Sequence, residues 1–157
     1  MGAQNSKAVD AERGGSGRSV TSLMTGETFQ IHGLHHAGLL CENLELSMQF
    51  YSDFLGLRLN PDRPDARLDF RGAWFWVGTE MIHLMEVPNP DPKEGRPEEG
   101  GRDKHICIAV ESLQPLIDKL NDANLVFTRS LSGRKAIFVR DPDMNCLEFV
   151  ETGAWRG

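Results

Sequence analysis

The sequence lacks several features that would place it in a special class of protein. It has no apolar stretch near the roughly 20 residues needed to span a bilayer, and no hydrophobic signal segment opens it. Its 23 acidic residues outnumber the 17 basic ones, so the net charge is −6 and no positive field is present for a phosphate backbone. We therefore expect an intracellular, cytoplasmic protein that does not bind nucleic acid.

Cysteine is also scarce, and the three residues present are Cys41, Cys107 and Cys146. An odd number of cysteines in a chain of 157 residues, which is long enough to bury a core without disulfides, indicates a reducing compartment. Hydrophobic and charged residues make up 39% and 25% of the chain, which is typical of a globular domain.

Residues 1–28 have little apolar periodicity, so we predict a flexible tail there and a folded domain over 29–157. The tail begins "MGAQNS", which matches the pattern for N-myristoylation of Gly2 after removal of Met1. The alternative, an unmodified and disordered N-terminus, stays open. A single acyl chain would give only a weak and reversible membrane tether.

One segment of the chain occurs twice. "HHAGLLCENLEL" at 35–46 and "KHICIAVESLQP" at 104–115 align when His36 is placed on His105. In each copy an apolar run typical of a strand leads to Asn43 or Ser112, which are good N-cap residues for a following helix. The sequence therefore predicts a strand and then a helix at the start of each copy.

Strand-like segments follow both predicted helices. They are "LRLN", "RLDF" and "AWFWVGTEMIHLMEV" in the first copy, and "LVFTRSL", "KAIFVRD" and "CLEFVET" in the second. We interpret the chain as two βαβββ modules, 31–87 and 104–151, joined by a Pro- and Gly-rich linker at 88–103. A helix covers only one face of such a sheet, so an α+β fold with a cup-shaped mixed sheet is expected.

The repeat also selects candidate metal ligands. His36 and His105 lie on the first strand of each module, and His83 and Glu148 correspond on the last strands. Three imidazoles and a carboxylate form a suitable site for a first-row divalent ion. Strand alternation would turn His35 away from this face. An isolated histidine is more often an ordinary core or surface residue, and the coincidence of four positions is what favours a site.

The same alternation turns Glu86 and Glu151 to the opposite face, so they are second choices as ligands. A two-residue turn at either Gly78-Thr79 or Thr79-Glu80 would place His83 opposite Trp74 or Trp76. The alternative is that both tryptophans are plain core residues. The predicted wall of the substrate pocket consists of Trp74, Trp76, Met85 and Cys107.

Residues 31–151 resemble the vicinal oxygen chelate superfamily, which includes glyoxalases, bleomycin-resistance proteins and extradiol dioxygenases. The resemblance rests on "LHHAGLLCENLELSMQFYSDFLGLRL", "DKHICIAVESL" and "FVRDPDMNCLEFVE". It implies paired βαβββ modules and one divalent metal ion, which the sequence does not distinguish among Zn, Ni, Co, Mn and Fe. The ligands carried over are His36, His83, His105 and Glu148.

The glyoxalase I-like branch is the most similar, and two positions depart from its usual pattern. Its usual Glu is replaced by His83, and the Gly of its "DPDG" turn is replaced by Met144. We expect a lactoylglutathione lyase-like isomerase or lyase acting as a homodimer. Its substrate would be an α-oxo or hemithioacetal-like molecule such as a glutathione adduct, converted through a metal-bound enediolate with Glu148 moving the proton.

Two other functions remain as alternatives. An extradiol ring-cleaving dioxygenase requires two histidines and one carboxylate, and the third imidazole of His83 argues against it. A binding module that sequesters a small molecule would generally lack the metal ligands. The sequence leaves open whether the cup closes within one chain or across a dimer.

Overall fold

The computed structural model describes residues 30–153, and the predicted tail with its lipidation site at Gly2 lies outside them. Residues 34–153 form one compact unit. The strands and helices follow in the order β1 His36–Cys41, α1 Leu44–Met48, β2 Arg58–Asn60, β3 Gly72–Val77, β4 Glu80–Glu86, β5 His105–Val110, α2 Gln114–Asp122, β6 Phe127–Arg129, β7 Ala136–Arg140 and β8 Cys146–Glu151. Within residues 30–153, every helix is too short or too polar to serve as a membrane span.

The strands form two four-stranded sheets of matching topology, in the orders β1-β4-β3-β2 and β5-β8-β7-β6. In each sheet one neighbouring pair is parallel, β1 with β4 and β5 with β8, and the other neighbouring pairs are antiparallel. Along the chain, each helix follows the first strand of its module and precedes the second. The predicted pair of βαβββ modules and the α+β class are therefore confirmed.

The predicted strand at "RLDF" is wrong, because residues 67–70 contain no strand. Arg63 donates from Nη2 to the carbonyl oxygen of Phe70 at 2.8 Å. This contact occupies a backbone acceptor that a ladder would need, so the segment forms an irregular connection to β3.

A glutamate at the end of each module's last strand caps that module's helix. Glu86 Oε1 accepts from the Leu44 amide at 2.9 Å, and Glu151 Oε2 accepts from the Leu113 amide at 3.0 Å. Asn43 adds the predicted N-cap, since its side chain accepts from the Leu46 amide. Both glutamates thus lie on the helix-covered face of their sheets, as strand alternation predicts.

Helix α1 continues into a π-helical segment, Gln49–Phe54. The Leu55 amide donates to Phe50 O at 2.9 Å, and Gly56 follows with a φ of 77° that favours glycine. Buried apolar side chains fill the space between each helix and its sheet, among them Tyr51, Phe75, Leu84, Leu120, Ile137 and Leu147. The opposite face of each sheet is the one that carries the candidate ligands.

A buried polar network joins the two modules at the "DPD" turn before β8. The hydroxyl of Tyr51 donates to Asp141 Oδ2 at 2.9 Å, and Ser47 Oγ donates to Asp143 Oδ2 at 3.0 Å. Burial and the Asp141 charge raise the pKa of Tyr51 well above its usual value, so the phenol stays protonated as a donor. Met144 in this turn has a φ of 65°, a left-handed backbone conformation that is uncommon for residues other than glycine.

We expect Tyr51→Phe to lower the free energy of unfolding by about 1–3 kcal/mol, because the buried Asp141 carboxylate loses a donor. Urea denaturation at neutral pH measures the change. Ser130→Ala, which alters an exposed hydroxyl, is the control and should stay within about 0.5 kcal/mol of the parent. Equal stabilities of the two variants would contradict a structural role for the network.

The segment 88–103 folds back onto the second module. Arg140 donates from Nη2 to Pro97 O at 2.9 Å and from Nη1 to the Asp103 carboxylate. Gly100 lies so close to Phe138 that a Cβ at position 100 would be 2.4 Å from its Cβ. The segment therefore covers part of the sheet face on which Phe138 and Glu148 are paired.

Candidate functional site

The open face of the first module carries a stack of three rings. His83 lies between His36 and Trp74, with ring centroids 4.0 Å and 4.2 Å apart and interplanar angles of 10° and 8°. Trp74 is the direct partner of His83 across the β3–β4 hairpin. The first of the two predicted registers is therefore correct, with a turn at Gly78-Thr79 in which Gly78 has a φ of 64°.

His83 is buried, and within residues 30–153 its Nε2 has no hydrogen-bond partner. Burial, followed by the neighbouring charges of His36, His35 and Arg63, lowers the pKa of His83 from 6.5 to about 4. The ring is therefore neutral at physiological pH. A neutral imidazole with an unused buried nitrogen is the form that binds a divalent metal ion, so this residue fits the predicted ligand role.

Arg63 is a member of this face that the sequence analysis missed. Its side chain is 6% exposed, and its guanidinium lies over Gly72, where a Cβ would be 3.0 Å from Nη2. Gly72 is the first residue of β3, and a glycine in a strand allows a close approach of this kind. The arginine lies in an irregular loop, however, where neither periodicity nor the repeat could identify it.

The alternation argument does not apply to His35, which precedes β1 by one residue. Its Nδ1 lies 2.8 Å from Nδ1 of His36, and the two rings meet edge to face. His35 therefore contacts one of the candidate ligands directly.

The open face of the second module holds His105 beside Glu148. His105 Nε2 lies 3.0 Å from Glu148 Oε2, and His105 Nδ1 lies 2.8 Å from the carbonyl oxygen of Asp103. Both ring nitrogens thus face oxygen atoms, so a cation bound between His105 Nε2 and Glu148 Oε2 would have one donor atom from each residue. A backbone carbonyl on Nδ1 is the usual second contact of a metal-ligating histidine.

Glu148 is almost fully buried, with 2% of its side chain exposed. Arg134, which the sequence analysis also missed, donates from Nη2 to Glu148 Oε1 at 3.0 Å. Cys107 is the partner of Glu148 across β5 and β8. Desolvation and the Glu148 carboxylate raise the pKa of the Cys107 thiol to about 11, so it stays protonated and suits the predicted wall better than the ligand set.

The structure brings the predicted ligands together as two pairs, His36 with His83 and His105 with Glu148. Throughout residues 30–153, no three side chains of His, Cys, Asp or Glu form a group that could hold a metal ion. The pocket-wall residues divide in the same way. Trp74, Trp76 and Met85 are half-buried on the first module, and Cys107 lies on the second.

We expect the metal-free protein to lose stability as the pH falls from about 6.5 to about 4. The folded-state pKa of His83 is lowered, so within this range the unfolded chain binds a proton that the folded chain does not. The loss should be at most roughly 3 kcal/mol in the free energy of unfolding. Urea denaturation across this pH range measures it, and His83→Phe, which cannot titrate, should show a shallower dependence. Identical pH dependence in both proteins would show that His83 is not the cause of the loss of stability.

Residues 33–149 match the family described as the Glyoxalase/Bleomycin resistance protein/Dioxygenase superfamily. Glyoxylase I 4 of Arabidopsis thaliana is 30% identical over 123 residues, which cover 75% of this chain and 70% of the plant protein. Among solved structures, the lactoylglutathione lyase of Agrobacterium tumefaciens aligns with a TM-score of 0.56 at 20% identity, over 81% of this chain and 98% of the lyase.

A variant of the fosfomycin resistance protein FosX of Listeria monocytogenes, in complex with Mn(II) and 1S,2S-dihydroxypropylphosphonic acid, aligns with a TM-score of 0.61 at 16% identity. The alignment covers 77% of this chain and 92% of that protein. At these identities the solved structures show a shared fold. The family match begins just before β1 and ends within β8, so it includes both copies of the repeat. The chain therefore belongs to the glyoxalase/bleomycin resistance protein/dioxygenase superfamily.

Proposed function

We propose that the protein is a metal-dependent isomerase or lyase of the glyoxalase I type, acting on a small α-oxo or hemithioacetal-like molecule. The observation that carries this proposal is the placement of matching donor pairs, His36 with His83 and His105 with Glu148, on equivalent strands of the two modules. The likeness to Glyoxylase I 4 supports the reaction class. Three nitrogen donors and one oxygen donor suit a first-row divalent ion.

Each residue of the site would have a defined task. His36, His83, His105 and Glu148 would hold the ion, which when bound supplies a Lewis acid for two neighbouring substrate oxygens. Glu148 would remove and return the proton at the adjacent carbon, since coordinated histidines have no free lone pair for that work. The half-buried Trp74 and Trp76 would shield the substrate from water.

We propose further that the protein works as a homodimer whose site is shared between two copies. One chain presents its two donor pairs separately, and within residues 30–153 no larger donor group is formed. A second copy that sets its second module against the first module of its partner would complete the ligand set. A two-fold symmetric dimer would contain two such sites.

Metal analysis and an activity assay test the proposal together. The purified protein should contain about one divalent ion per chain, and it should convert the hemithioacetal of methylglyoxal and glutathione. Oxygen consumption with a catechol and Fe(II), without any turnover of the hemithioacetal, would replace the isomerase by a ring-cleaving dioxygenase. Tight binding of small molecules without metal or turnover would indicate a sequestering module.

The lipid attachment at Gly2 is tested separately. Co-expression with an N-myristoyltransferase is expected to add the mass of one myristoyl group to the protein, because "MGAQNS" matches the recognition pattern. Intact-mass spectrometry detects the change, and Gly2→Ala is the control that should stay unmodified. Vesicle binding of the acylated protein should be weak and reversible. An unmodified parent protein would leave the motif as a chance match.

A further inference from the structure

Arg134 contacts the buried carboxylate of Glu148 from the hairpin that joins β6 to β7. Its Nη2 donates to Glu148 Oε1 at 3.0 Å, while His105 Nε2 lies 3.0 Å from Glu148 Oε2. Each carboxylate oxygen therefore has its own partner. These two contacts fix the rotation of a group that is only 2% exposed.

The hairpin is organised in a way that directs the guanidinium toward Glu148. Ser130 N donates to Ala136 O at 2.9 Å and closes the loop, and Gly133 adopts a φ of 81° at its tip. Arg134 Nε donates to Ser132 Oγ at 3.3 Å. The guanidinium is thus held at Nε by its own loop and at Nη2 by Glu148, although 60% of the side chain is exposed to solvent.

The neighbouring cations of this hairpin have other contacts. Lys135 forms an ion pair with Glu151, the helix-capping residue, and Arg129 lies over the ring of Phe127. Within the described part of the chain, the recorded partners of Glu148 among basic side chains are Arg134 and His105. The contact between Arg134 and Glu148 is therefore specific to one position of the hairpin.

We propose that Arg134 is a positioning residue that anchors Oε1 of Glu148, so that Oε2 alone is presented to the metal ion and to the reacting proton. The proposal rests on the proposed function, because it assigns Glu148 to the metal site. An arginine donor is well suited to this task, because its planar guanidinium sets the direction of the hydrogen bond to the carboxylate and also supplies a positive charge. Hydrogen-bond partners of ligating carboxylates typically change metal affinity by 10- to 100-fold when they are removed.

Cobalt binding tests this role without depending on turnover. The full-length protein is loaded with Co²⁺, its visible absorption spectrum is recorded, and its affinity is measured by competition with a chelator. Arg134→Met should weaken Co²⁺ binding by roughly 10- to 100-fold. It should also change the absorption spectrum, because the released Oε1 becomes free to join the coordination of the ion.

Two further variants and a control complete the experiment. Arg134→Lys should recover most of the affinity, because it retains a cationic donor. Arg134→Gln should show the same loss as Arg134→Met and replaces it if that variant does not fold. Arg129→Met, on the same hairpin, should match the parent.

Wild-type affinity and spectrum in Arg134→Met or Arg134→Gln, or an equal change in Arg129→Met, would overturn the positioning role while leaving the proposed function intact. A parent protein that binds no Co²⁺ would overturn the proposed function itself. The two failures are therefore distinguishable.

Discussion

Glu148→Gln is expected to retain part of the bound metal and to lose isomerase turnover by roughly 10²–10⁴-fold. The amide can still offer its one oxygen to the ion in place of Oε2, while its NH₂ group then faces the Arg134 donor in place of Oε1. It cannot accept a proton from carbon, and the remaining candidate ligands are histidines whose lone pairs would be used in coordination. This variant should therefore keep part of its metal content while losing most of its turnover.

Elemental analysis and steady-state kinetics on the hemithioacetal of methylglyoxal and glutathione measure the two quantities. Glu151→Gln is the matched control, because it makes the same chemical change three residues along β8, on the opposite face. Its amide oxygen can still accept from the Leu113 amide, so turnover should stay near that of the parent. Full activity in Glu148→Gln, or an equal loss in both variants, would remove Glu148 from the role of base.

The fold could be predicted because the same strand and cap signals occur in both modules. Asn43 caps α1 as predicted, whereas the N-cap of α2 is Leu113 and not Ser112. The spacing of apolar residues places both helices correctly. The π-helical segment Gln49–Phe54 could not be predicted, because its apolar residues also fit an ordinary helical period. The strand at "RLDF" was predicted wrongly, because the hydrogen bond from Arg63 to Phe70 O cannot be inferred from the local sequence pattern.

The candidate site was predictable only where the repeat supplied a second copy of a position. His83 and Glu148 were found in this way, whereas Arg63 and Arg134 come from loops that the repeat does not match. The "DPD" turn was recognised as a motif, but its partners Ser47, on α1, and Tyr51, in the π-helical segment, lie 96 and 90 residues earlier in the chain. Long-range polar contacts of this kind depend on how the modules meet, which no local pattern encodes.

Two inactive variants of the protein are expected to restore one complete site when they form a mixed dimer. The first variant, His36→Ala with His83→Ala, loses the donor pair of the first module. The second, His105→Ala with Glu148→Ala, loses the pair of the second module. If each site combines the first module of one copy with the second module of its partner, one site of the mixed dimer has all four intact ligands.

The two variants are co-expressed with different affinity tags, and the mixed dimer is isolated by successive purification on both tags. It should contain about half of the metal and half of the turnover of the parent dimer, because one of its two symmetry-related sites is intact. Each variant purified alone should have neither. The buried contacts of Tyr51 and Ser47 with the "DPD" turn should keep the modules of each chain in their native arrangement throughout.

A site formed within one chain gives a different result, because every chain in the mixed dimer then carries a damaged site. No recovery of metal or turnover in a mixed dimer of confirmed composition would therefore reject the shared site. It would require a rearrangement that brings His36 and His83 of one chain to its own His105 and Glu148. Recovery near half of the parent value would assign the two donor pairs to different copies, which is the arrangement that their separation within one chain favours.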